Sequence, residues 1–118
     1  MTRTMTILTD VKLITCIVQR GMSDIIVKAA REAGAQGATV TYAKGSGVRE
    51  RLGLLGVAVE VDKEIITIVV SSQQMDAVFE HIYLTGQLDV PGMGFLYVTP
   101  LEKAATFIPN DVLDKIKP

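Results

Sequence analysis

The sequence predicts an α+β fold in the order strand, helix, strand, strand, helix, strand, with one four-stranded antiparallel sheet carrying both helices on one face. Three observations carry that prediction. The hydrophobic period switches from that of a strand to that of a helix twice along the chain. The two halves echo each other: KLITCIVQRG leads to a helix ending AREAG, and EIITIVVSS leads to one ending YLTG. At 118 residues, 48% of them hydrophobic and 21% charged, the chain has material for one core and not for two. This is the ferredoxin-like βαββαβ arrangement, and residues 1–118 read as a single domain.

Residues 1–10, MTRTMTILTD, show no period and read as a flexible N-terminus; they also lack the long apolar segment of a signal peptide. From Val11 to Gln19 the residues are β-branched and apolar with little alternation, which is the pattern of a central strand covered on at least one face. Ser23 is placed to cap a helix whose apolar positions Met22, Ile26, Ala29, Ala30 and Ala33 recur at helical spacing, with Gly34 as a left-handed stop. Thr39 to Lys44 reads as the second strand. A third runs from Val57 to Val70, with a break or bulge expected near Asp62 and Lys63. The segment 46–56 is then the loop of a β-hairpin.

Ser72 is placed to cap the second helix, where Met75, Val78, Phe79, Ile82 and Tyr83 form an apolar stripe that Gly86 follows. QLDVPGMG has the proline and glycines of an irregular loop, and GFLYVTP is the fourth strand. In the C-terminal tail, 103–118, the pattern does not choose between short strand and helix. The first and third strands are apolar on both sides, so the sheet face that the helices leave open needs other cover. Self-association supplies it.

Several functions are disfavoured. A net charge of −1 does not suit a protein that wraps a nucleic-acid backbone. An RNA-binding sheet would carry aromatic residues on its first and third strands, and KLITCIV and EIITIVV have none. The lone Cys16, set in an apolar run, forms no disulfide framework and reads as a buried small hydrophobe, in keeping with a reducing cytoplasm. Arg20 beside Gly21 suggests a phosphate-cradling loop, but the residues that would complete an acylphosphatase-like site are not recognisable. His81, the one histidine, lies off the apolar stripe and reads as solvated, as do Asp62 and Glu64. Neither a metal site nor a catalytic constellation stands out, so the reading is not an enzyme.

What remains unexplained is GATVTYAKGSGVRERLGLLG, Gly37 to Gly56: a strand, then glycines, arginines and leucines. Together with KLITCIVQRG, EIITIVV, the helix ending in TG and the glycine-rich turn into FLYVTPLE, it resembles the PII nitrogen-regulatory protein family, in one of its PII-like branches, over Val11 to about Glu102. The resemblance implies a homotrimer with its sheets facing inward, acting in signal transduction such as nitrogen regulation. An adenine nucleotide (AMP, ADP or ATP) or other small effector would bind between subunits. The long hairpin loop, the T-loop, would dock on a membrane transporter or metabolic enzyme.

Carried over by position, the resemblance places the effector at Gly37, Thr39, Gly45, Ser46, Gly47, Arg49, Gly92 and Gly94, with Thr39 near the adenine ring. Glycines at 45 and 47 leave amide groups free to form an anion-binding nest. Arg51, Leu52, Leu54 and Leu55 of the loop are the expected partner contacts.

This chain departs from the family pattern at several places. Val48 stands where the family has an arginine, and VPGMGF and KAATFI lack its phosphate-binding lysine and arginines, which puts tight ATP binding in doubt. Arg49 stands where the family has the glutamine that holds magnesium and 2-oxoglutarate. The loop has no tyrosine to carry a nucleotidyl group. The competing reading, from a different class, is a trimeric ferredoxin-like protein with a structural or metal-handling role and no nucleotide switch.

Overall fold

The structure, a computed structural model, describes residues 3–45 and 61–107. Its elements are β1 (Ile7–Leu8), β2 (Val11–Gln19), α1 (Ser23–Glu32), β3 (Thr39–Gly45), β4 (Val61–Ser71), α2 (Ser72–Thr85), β5 (Gly94–Leu101) and β6 (Ala104–Ala105). The main sheet has the order β3-β4-β2-β5 with every neighbouring pair antiparallel, so the expected ferredoxin-like architecture is the observed one.

Alternation along the strands decides where the core sits. Ile14, Cys16 and Val18 of β2 and Ile66, Ile68 and Val70 of β4 are buried in one cluster with Ile26, Ala29 and Ala30 of α1 and Val78 and Ile82 of α2. Burial pushes the Cys16 thiol up to about 12, so near neutral pH it is protonated and packs as a small apolar group. The intervening residues face the other way, away from both helices. There Val69 of β4 and Phe95 and Tyr97 of β5 are exposed, and the two rings stack with centroids 5.8 Å apart. The sheet is therefore apolar on the side the helices leave open, as the sequence implies.

The helix ends differ from expectation in instructive ways. Ser23 makes no side-chain cap for α1. Glu64 takes that role from across the sheet, its Oε1 accepting the backbone N–H of Gly21 at 3.0 Å and of Ser23 at 2.9 Å. A carboxylate at a helix N-terminus satisfies donors that the helix cannot and complements its dipole. Glu64 is accordingly buried, at 5% exposure, and is not the solvated residue its sequence context suggests. Its position on the helix-facing side of β4 explains this.

At α2 the cap is Ser71, one residue before the expected Ser72. Its hydroxyl accepts the Gln74 N–H at 3.2 Å, and the Gln74 side chain reaches back to the Ser71 N–H in a capping box. Helix α1 ends as expected, with Gly34 at φ +110 and Ala35 N–H donating to the Ala30 carbonyl at 2.9 Å. The left-handed residue after α2 is Gln87, at φ 55, rather than Gly86. Gly86 is needed for packing, since a Cβ there would lie 2.8 Å from Cδ1 of Ile26. On the stripe of α2, Val78 and Ile82 are buried as expected while Tyr83 is exposed.

Strand β4 passes through Asp62 and Lys63 without the expected bulge, because its register with β3 advances evenly from Thr39↔Thr67 to Gly45↔Val61. Asp62 is met by Arg20 at 3.2 Å, so the charged pair is accommodated without breaking the ladder. His81 is also less free than expected: its Nε2 is buried and faces Glu32 Oε2 at 3.6 Å, joining α2 to the end of α1. The N-terminus is not wholly without structure either, since Ile7 and Leu8 pair with Ala105 and Ala104 in a separate two-stranded ladder. That pairing also assigns the start of the tail to strand.

Removing the carboxylate of Glu64 strands two amides at the start of α1. Glu64→Ala is expected to lower the unfolding free energy by about 2 kcal/mol, with Glu64→Gln retaining part of it through its amide oxygen. Urea titration followed by circular dichroism reads both; equal stability of Glu64→Ala and the parent would refute the cap.

Candidate functional site

The first stretch of the candidate effector residues lies where β3 begins. Gly37 and Thr39 line an open cleft of about 530 Å³ whose floor is Leu13, Thr67 and Val69 of the sheet. Gln74 of α2 closes one side, and Leu8 with Thr106 and Phe107 closes another. None of the described residues lining it carries a charge. Such a surface suits a neutral, largely apolar group with a few hydrogen-bonding atoms. Leu8, Thr106 and Phe107 were not legible as site residues, because two-residue strands leave no periodic signal. Leu8 belongs to the β1–β6 ladder, and Thr106 and Phe107 directly follow it in the chain.

Gly45, Gly92 and Gly94 lie further along, at one end of the sheet. Gly45 is the last residue of β3 and pairs with Val61, while Gly94 opens β5 opposite Val18 near the end of β2. From Thr39 to Gly45 is six residues along one strand, about 20 Å at the usual rise. The described candidate residues are thus not brought together within one protomer. They form two groups, one where β3 begins, level with the middle of the sheet, and one at the end where β3 closes and β5 opens.

Gly92 and Gly94 both answer to their own backbone. Val90 to Met93 form a turn closed by Met93 N–H donating to the Val90 carbonyl at 3.2 Å, with Pro91 second and Gly92 third at φ 83. That is a type II turn, which demands a positive φ at its third residue. The Gln19 side chain donates to the Gly92 carbonyl and ties the turn to β2. At Gly94, φ is +137 and a Cβ would fall 2.3 Å from the Ile17 carbonyl oxygen. Gly37 is different: a Cβ there would meet nothing within 4 Å. Nothing among the described residues asks for glycine at that position.

Ser46, Gly47, Arg49, Arg51, Leu52, Leu54 and Leu55 lie outside the described residues. At the foot of the segment that contains them is a second cleft, also of about 530 Å³, lined by Arg20, Tyr42, Asp62 and Glu64 among others. Here the phosphate-cradle reading of Arg20 and Gly21 meets a physical objection. The amides that would hold a phosphate already hold the Glu64 carboxylate, and Arg20 is engaged by Asp62. A second anion there would be repelled by the first. Among the described residues no group of three His, Cys, Asp or Glu side chains is arranged to hold a metal ion, and no helix is long and apolar enough to cross a membrane.

Two comparisons bear on this geometry. The family model described as nitrogen regulatory protein P-II matches residues 11–110. Among solved structures, the chain is similar to the crystal structure of Arabidopsis thaliana PII bound to citrate, with a TM-score of 0.63 and 22% identity over 80% of this chain and 79% of that one.

The contrast between the glycines gives a direct expectation. Gly37→Ala leaves protomer stability unchanged within about 0.5 kcal/mol, whereas Gly94→Ala destabilises strongly or prevents folding. Thermal melts of the two variants check this. Comparable losses would mean that Gly37 is held by its own fold after all.

Proposed function

The chain belongs to the nitrogen regulatory protein P-II family, and from that membership we propose that it is a trimeric, non-enzymatic signalling protein of the cytoplasm. It binds a small effector, an adenine nucleotide, between subunits, and through the loop 46–56 it regulates a partner, with a membrane transporter preferred over a metabolic enzyme.

The observation that carries this reading is the separation of the described effector residues. Thr39 and Gly94 of one protomer sit on the two edge strands and three residues apart in register, about 17 Å at the usual rise and strand spacing, more than an adenosine monophosphate spans. A second copy packed against the open sheet face brings one protomer's uncharged cleft against the other's glycine turn. The base then enters the cleft of the first subunit, and the phosphates lie along the amides of Gly45, Gly47 and the turn of the second. Lys44, next to Gly45, and Arg49, two residues past Gly47, are the cations nearest those glycines in sequence.

Loop docking follows from sequence chemistry. Leu52, Leu54 and Leu55 form an apolar cluster interrupted by Gly53 and preceded by Arg49 and Arg51, a composition suited to an amphipathic contact. An effector that touches Gly47 and Arg49 selects among loop conformations, and by linkage its affinity depends on whether the partner is bound.

Equilibrium dialysis against AMP, ADP, ATP and citrate tests the effector class. Adenine nucleotides are expected to bind, and ATP to exceed ADP by no more than about tenfold, about 1.4 kcal/mol, since the described turn and β6 bring no cation to a γ-phosphate. A strong magnesium-dependent preference for ATP would overturn the phosphate assignment, and no binding of any nucleotide would overturn the effector reading.

A second expectation separates the loop's two roles. Arg49→Ala weakens nucleotide binding, whereas replacing Leu54 and Leu55 with serine leaves nucleotide binding and the trimer intact and abolishes capture of the partner. Sedimentation and calorimetry on the variants check it, and dissociation of the trimer by the leucine changes would place those side chains in the core.

A further inference from the structure

Phe107 lines the uncharged cleft and is 87% exposed, more than any other large apolar side chain among the described residues. It is also the one aromatic ring in the described lining. Single apolar side chains on a surface need no explanation, but this one stands on the wall of a cavity. Phe107 comes two residues after β6, whose pairing with β1 also brings Leu8 to the cleft. Leu8 precedes residues 11–110, the segment that matches the family, so part of this side is built outside that segment. Elsewhere in the cleft the space over Gly37 is open: a Cβ there would meet nothing within 4 Å, so a flat group can come down to the backbone. Thr39 and Thr67, paired across β3 and β4, bring hydroxyls, while Ser71 and Gln74 are engaged in the cap of α2.

We infer that Phe107 is the stacking face for the ring of the effector, and that the cleft selects a flat heteroaromatic group through that contact. The inference rests on the nucleotide reading above and adds to it a residue that confers selectivity. With no charge in the described lining, no ion pair orients a guest, so shape and hydrogen bonding do so. A phenyl ring meets another ring in an offset stack that is worth more than the area it covers, whereas an aliphatic chain gains the area alone. A nucleobase has such a face, and its edge carries both donors and acceptors. A hydroxyl donates or accepts as its partner requires, so Thr39 and Thr67 suit that edge. A phosphate gains nothing from a phenyl face. The contribution of Phe107 is therefore the same whether the nucleoside carries a phosphate or not, which separates it from every group that acts on the phosphates.

The test compares the full-length parent with Phe107→Leu, Phe107→Tyr and Phe107→Trp, using AMP and adenosine as the probes in calorimetry and sedimentation velocity to follow assembly. Leucine keeps an apolar side chain and removes the ring; tyrosine and tryptophan keep a ring. Phe107→Leu is expected to bind AMP and adenosine about tenfold more weakly, by the same factor for both, and Phe107→Tyr to bind them as the parent does. The chain has no tryptophan, so in Phe107→Trp the indole emission reports from this one position and is expected to change as AMP saturates the protein. The ring is exposed in the protomer, so these variants fold. Parent-like affinity of Phe107→Leu, or an unchanged indole emission at saturating AMP, overturns the inference and leaves the effector reading standing. Dissociation of the assembly in Phe107→Leu also overturns it, by placing the ring in a contact between copies. A parent that binds neither AMP nor adenosine overturns the effector reading and the stacking face with it.

Discussion

The central pair of strands, β2 and β4, is apolar on both of its faces, and among the described residues only one layer of helices covers it. Most of the architecture follows from that imbalance. On the helix side, alternate residues of the two strands meet α1 and α2 in a continuous core. On the other side the same strands present Leu13, Ile17, Ile65 and Val69, joined by the stacked rings of Phe95 and Tyr97. Burying a face of this kind is favourable by roughly 25 cal/mol per Å² of apolar surface, and leaving it wet invites indiscriminate association. A protomer of this sequence is therefore half of a solution, and the proposed assembly would supply the other half.

Glu64 shows how the two layers are locked together. It belongs to the sheet, yet it completes the first turn of α1 and holds the Gly21 amide that the tight turn after β2 leaves free. One carboxylate thus couples the angle at which α1 leaves the sheet to the register of β4. It also occupies the anion-binding feature that Arg20 and Gly21 suggest, which turns a candidate ligand site into a structural joint.

The fold was legible because it rests on periods. KLITCIVQ and EIITIVV announce their strands, the stripe through Ile26, Ala29 and Ala30 announces its helix, and the echo between the halves sets the topology. What escaped were features made by contacts distant in sequence. Nothing near Ser23 reveals that its amide is bonded to a residue 41 positions away, nor do Ile7 and Leu8 announce a partner near position 104. For the candidate site, Gly37 and Thr39 do lie in a cleft, but Leu8 of the cleft's lining comes from those unannounced strands. Gly92 and Gly94 were readable as special; their geometry assigns that to a turn and a close backbone approach, which position alone could not distinguish from ligand contact. Phe95 and Tyr97 alternate in GFLYVTP in plain view, and only the register shows that they share a face with Thr15 and Ile17.

The β1–β6 ladder joins just two residue pairs, Ile7↔Ala105 and Leu8↔Ala104, and it bears Leu8 and carries the chain on to Thr106 and Phe107 at the cleft. So small a ladder opens at a far lower free energy than the central sheet, by local unfolding that leaves the core untouched. The cleft's outer wall is thereby a clasp whose fastening is thermally labile, and a guest seated against Phe107 would shift the equilibrium of that clasp towards closure. Residence time in the cleft would then be governed by how often two backbone pairs let go.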